Sequence, residues 1–112
     1  MNEIPELQDE WRRRGLRAQA SAAQALHRLL ELAERGDSGQ AYVVARFVAA
    51  TFDGPCHPWD PFDLRAVDVA IADDMMVCLE ALRWGLADLH KLIPNGITRI
   101  QGVIEAWRIE PT

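Results

Sequence analysis

At 112 residues, 49% hydrophobic and 26% charged, the chain has room for one folded domain and the make-up of a globular protein rather than a disordered one. Its formal net charge of -5 argues against broad electrostatic attraction to nucleic acid or to an anionic membrane, while leaving room for a local basic patch. Acids and bases balance over residues 1–50, so the whole negative excess lies in the second half.

Two cysteines, Cys56 and Cys78, are too few for a disulfide framework and lack a zinc-type paired spacing, which fits a reducing compartment. Asn2, Glu3 and Glu6 stand where a signal peptide would carry basic residues. The longest apolar run, Ala41 to Phe52, is interrupted by Arg46 and is too short for a bilayer. The expectation is a soluble, cytoplasmic protein.

In chain order, Ile4, Leu7, Trp11, Ala18, Ala22, Ala25 and Leu29 recur at helical spacing and predict a first helix over about residues 4–35, with Gly15 as a candidate break. Pro5 suits a first turn. Its alanine-rich middle implies close approach of another helix. Gly36 reads as a left-handed C-terminal cap, and Asp37 followed by Gln40 as a variant capping box for the next helix. That second helix, about Ser38 to Phe52, is apolar on nearly every side and is expected at the centre of the fold. Asp53-Gly54-Pro55 ends it, and the proline-rich run to Pro61 reads as a stiff, extended loop.

Apolar residues at 64, 67, 71, 75, 78 and 82 then predict a single amphipathic helix, capped by Asp60 or Asp63 and stapled by Trp59 and Leu64. Gly85 kinks or ends it. Pro94-Asn95-Gly96 is a turn, and Ile97, Ile100, Ile104 and Trp107 place a last helix against the core. No useful period-two alternation and no internal repeat appears. The fold class expected is all-α, a compact single-domain bundle of four to five helices.

Chemistry is sparse. Asp68, Asp73, Asp74 and Glu80 diverge around a helix, so they do not form a cation site; the acids flanking the apolar stripe are expected to pair with arginines such as Arg46, Arg65 or Arg99, leaving Asp73 in solvent. Cys56 and His57 are neighbours on an extended segment and point apart, and Cys78 falls on the apolar face of its helix. No catalytic residue, metal or cofactor is expected. The one basic cluster, Arg12, Arg13, Arg14 and Arg17 beside Trp11, has the composition of a single-stranded nucleic-acid contact. Glu3, Glu6, Asp9 and Glu10 stand at salt-bridge spacing and reduce it to a charge-laced helix face. Of four tryptophans, Trp59 and Trp84 are the candidates for exposed interface anchors.

The runs Gly36-Asp37-Ser38-Gly39-Gln40, Val44-Ala45-Arg46-Phe47, Phe62-Asp63-Leu64, Val67-Asp68, Ile71-Ala72-Asp73-Asp74-Met75 and Ala106-Trp107-Arg108 resemble an uncharacterised family of small proteins carried on proteobacterial plasmids, prophages and integrated elements. The resemblance covers about residues 29–109 and leaves the arginine cluster outside. It implies a genetic setting in which small non-enzymatic proteins often act against host defence or modulate host machinery by binding. The expected function is therefore a protein-binding inhibitor of anti-CRISPR type. Its acidic half, through Asp60, Asp63, Asp73, Glu80 and Asp88 with Trp59 or Trp84 as anchor, would meet the basic groove of a nucleic-acid-handling effector. The rival is single-stranded DNA binding through Trp11, Arg12, Arg13, Arg14 and Arg17.

Overall fold

The computed structural model describes residues 5–112, so the expectations resting on Ile4 and Glu3 lie outside the described residues. Over the described residues the fold is an all-α bundle of four helices: α1 (Pro5–Arg35), α2 (Gly39–Phe52), α3 (Val69–Trp84) and α4 (Gly96–Ala106). Short 3-10 turns at Pro61–Arg65 and Leu89–Leu92 precede α3 and α4 respectively.

α2, exposed only at Gly39 and Tyr42, is enclosed on nearly every side as its apolar sequence implied, and α1 is the organising element. It packs against α2, α3 and α4, and it places Ala22, Ala25, Leu26, Leu29, Leu30 and Ala33 in the core. Alanines at the crossings let the helices approach closely, as their spacing implied. α2 contributes Val44, Ala45, Phe47 and Val48 to the same core, while Tyr42 lies on its exposed side, tilted against Trp107.

Gly15 does not break α1, which is continuous. It is buried, and a Cβ there would lie 2.8 Å from Leu86 Cδ1 and 3.6 Å from Trp84 Cδ2. The glycine thus serves close packing with the chain beyond α3.

Gly36 is likewise not a left-handed cap, since the only glycine with positive φ is Gly85 among the described residues. A Cβ at Gly36 would meet Ala41 Cβ and the Leu32 carbonyl, both at 2.7 Å, so contact rather than backbone freedom selects it. The cap of α2 is Ser38, whose Oγ accepts from the Ala41 N–H at 3.1 Å. Gln40 does not reach back in a capping box. Its Oε1 accepts instead from the Asp68 N–H at 2.6 Å, across 28 positions of chain.

The single helix expected from Asp60 or Asp63 to Leu82 is split, with a break at Ala66 to Asp68. Asp60 caps the 3-10 turn by accepting from the Phe62 N–H at 3.0 Å, and α3 starts only at Val69. Met75, Cys78 and Ala81 form its buried face, so Leu82, at 47% exposure, lies off it. Gly85 ends α3 in the left-handed conformation (φ 66°).

The turn before α4 rests on two residues. Asn95 takes positive φ (58°), and a Cβ on Gly96 would sit far inside van der Waals contact distance of the His90 carbonyl oxygen. α4 buries Ile100 and Val103, leaves Ile97 exposed, and anchors to α1 through Trp107, whose Nε1–H donates to the Ala33 carbonyl at 2.7 Å. After α4, Arg108 (φ 53°) occupies the left-handed position of a Schellman-type stop. The Ile109 N–H donates to the Ile104 carbonyl at 3.0 Å and the Arg108 N–H to the Glu105 carbonyl at 3.1 Å.

Candidate docking surfaces

The expected arginine partners of the acids are corrected by geometry. Asp74 takes a two-pronged bond from Arg28 of α1, Nε to Oδ2 at 2.9 Å and Nη2 to Oδ1 at 2.8 Å, which ties α1 to α3. Arg99 of α4 grips Glu34 of α1 in the same way, at 2.9 and 2.7 Å, and stands 3.2 Å from His27 Nδ1. His27 Nε2 in turn lies 2.6 Å from Glu31. The Arg99 hydrogen bonds hold the Glu34 carboxyl below the usual carboxylate range, outweighing the opposing effect of burial. These pairs fasten helices together, and neither is free for a partner.

Asp73 is different. It is exposed and makes no ion pair among the described residues. Val69, Asp73, Met76 and Glu80 recur at intervals of four, three and four, which places them on one face of α3, opposite Met75 and Cys78. Val69 is 76% and Met76 52% exposed. Glu80 pairs with Arg83 one turn on. The face is thus two large apolar side chains framed by acids.

The remaining acidic candidates do not join this face through any hydrogen bond among the described residues. Asp60 is occupied as a cap. Asp63 has a buried Oδ2 with no hydrogen-bond partner among the described residues. Asp88 stands 3.7 Å from Lys91 in a loose ion pair. Neither tryptophan anchor is free. Trp59 packs edge-on against Phe47, with centroids 5.1 Å apart, and its Nε1 is buried without a hydrogen-bond partner among the described residues. The half-buried Trp84 has the guanidinium carbons of Arg14 and Arg83 at 5.3 and 5.0 Å from a ring centroid. Among the exposed apolar residues, Val69 and Met76 have no role in the sequence reading, and Phe62, at 70% exposure, enters it only as part of a motif. Val69 and Met76 lie off the apolar stripe, and a seven-residue interval between two such residues is the available signal.

The arginine cluster also differs from its expectation. Arg12, Arg13 and Arg17 are exposed and make no ion pair among the described residues, and the same holds for Glu6, Asp9 and Glu10. Trp11 is 38% exposed.

A shallow cleft of about 350 Å³ between α2, the 56–60 loop and the C-terminal residues is lined by Tyr42, Arg46, His57, Arg108 and Glu110 among others. Among the described residues no three His, Cys, Asp or Glu side chains stand where they could hold a metal ion. Burial pushes the Cys78 thiol up to about 12, so it stays protonated inside the core, and a bond to Asp53 raises the Cys56 thiol. Among the described residues no helix is long and apolar enough to cross a membrane.

A small four-helix bundle with an acidic, apolar-centred face and an exposed, charged helix end is the class these features of the described residues define. The chain belongs to a family of unknown function (DUF7673), whose model matches residues 23–108. No curated protein and no solved structure matches it.

Proposed function

We propose that this chain is a non-enzymatic, stoichiometric binding protein that docks on a basic protein surface through the solvent face of α3. The observation that carries the reading is Val69 and Met76, exposed together beside Asp73 and Glu80. Apolar side chains supply the desolvated centre of an interface, and acids at its rim steer toward a basic partner and set register. The net charge of -5, concentrated in residues 51–112, supports the same polarity. The most concrete version is an inhibitor of anti-CRISPR type, encoded on a mobile element and cytoplasmic, that occupies the Lys/Arg-rich groove of a nucleic-acid-handling effector. That finer reading draws on the resemblance together with the charge.

One observation favours a second reading: the unpaired Arg12, Arg13 and Arg17 beside exposed Trp11 suit a single-stranded nucleic acid. Both are tested by capturing partners with the tagged chain, with and without nuclease, in parallel with Asp73→Lys/Glu80→Lys and Arg12→Glu/Arg13→Glu variants. The docking reading expects nuclease-resistant capture lost only in the α3 variant. Loss only in the arginine variant, with DNA binding that weakens steeply with salt, overturns it.

A further inference from the structure

We infer that the first ten described residues of α1 form a self-association surface that pairs with the same segment of a second copy in antiparallel orientation. α1 has 31 residues, about 46 Å of helix at 1.5 Å per residue, and α3, its longest neighbour, has 16, about 24 Å. The molecule measures 49 Å along its long axis, so α1 runs its whole length and overhangs the body. Pro5 to Arg14 are all exposed, and burial begins at Gly15.

The apolar stripe does not stop where the body stops. Leu7, Trp11, Gly15, Ala18 and Ala22 continue the same three-and-four spacing, so the face that is core beyond Gly15 carries Leu7 and Trp11 into solvent, each 38% exposed. Leu82 and Leu86, both 47% exposed, add apolar surface at the end of the body, where Leu86 meets Gly15. This overhang also lies outside the matched family region, which begins at residue 23.

Charge identifies the occupant. Glu6, Asp9 and Glu10 precede Arg12, Arg13, Arg14 and Arg17, a block of acids followed by a block of bases. None of the acids is ion-paired within the molecule among the described residues, nor are Arg12, Arg13 and Arg17, while Arg14 rests on Trp84. Two copies laid antiparallel set each acidic turn against the other's arginines and close by two-fold symmetry; laid parallel they oppose like charges. The surface is small, so the dimer is weak and in exchange with monomer.

Sedimentation velocity on the full chain, from micromolar to millimolar at low salt, tests this. The expected result is a monomer–dimer equilibrium weakened about tenfold or more by Trp11→Asp, with unchanged circular dichroism. Two charge variants make the test specific: an overhang turned mainly acidic (Arg12→Glu/Arg13→Glu/Arg17→Glu) and one turned mainly basic (Glu6→Arg/Asp9→Arg/Glu10→Arg). Each is expected to be monomeric alone and to form a heterodimer when mixed. A chain that stays monomeric to millimolar concentration, or a dimer indifferent to all these changes, overturns the inference. The α3 variants leave this equilibrium untouched, which separates its failure from failure of the docking reading.

Discussion

The two ends of α1 carry one apolar periodicity and meet opposite surroundings. From Ala22 to Ala33 the stripe is closed by α2, α3 and α4, with every buried position at 3% exposure or less; from Pro5 to Arg14 every residue is exposed. The charges follow the same division. Arg28 and Glu34, at the covered end, are each bound in two-pronged pairs to other helices, whereas the arginines and acids of the overhang, Arg14 on Trp84 apart, have no such partner among the described residues. Periodicity reports which face of a helix avoids water; what covers it is decided by the rest of the chain, or by another one.

The largest effect separating the two ends is expected in the core beneath the covered one. Phe47 is 1% exposed and packs against Trp59, so Phe47→Ala should cost about 3–5 kcal/mol, the lost burial together with the cavity left behind. A thermal or urea melt like the parent's would show that the covered end is not closed as described. Next comes Gly96→Ala, which drives a methyl group into the His90 carbonyl and should cost about 3 kcal/mol by overpacking. An unchanged melt would place the Leu89–Leu92 turn elsewhere.

How much of this the sequence revealed depends on whether a contact is local. The spacing of Ala22, Ala25 and Leu29, the turn at Asn95-Gly96 and the stop at Gly85 are written in neighbouring residues and were legible. The break before α3 was not, because Leu64 and Val67 keep helical phase with Ile71 and Met75. An Asp60-Pro61 start for a 3-10 turn and a tertiary bond from the Asp68 N–H to Gln40 stand there instead. Arg28 and Asp74 are 46 positions apart, and nothing local chooses Arg28 over the other arginines. For the candidate face, Asp73 was legible as solvated, but the apolar half of that face was not. Val69 and Met76 differ from core residues only in facing away from α1.

A smaller effect tests the ionic fastening of the covered end. Glu34 titrates below the usual carboxylate range because Arg99 binds its ionised form. A carboxyl with a lowered native pKa stabilises the fold above its unfolded value, near 4.3, and loses that contribution as pH falls through the lowered native value. Glu34→Gln should therefore destabilise by about 1 kcal/mol at neutral pH, the pair being partly exposed. The gap to the parent should close on acidification. A gap that widens toward low pH would mean that Arg99 is not the partner that matters.

The smallest effect belongs to the uncovered end and depends on concentration. In a dilute sample Leu7 and Trp11 stand outside the core cluster, so Leu7→Ala and Trp11→Ala should each change stability by no more than about 0.5 kcal/mol, the usual range for surface positions. At higher concentration association stabilises the folded chain by mass action. The parent's melting temperature should then rise with concentration, while that of the Trp11→Ala variant rises less. The comparison between the two ends of α1 becomes a pair of curves: Phe47→Ala lowers stability at every concentration, and Trp11→Ala separates from the parent only where copies meet. A Trp11→Ala variant destabilised by several kcal/mol in dilute solution would show that the overhang belongs to the body after all.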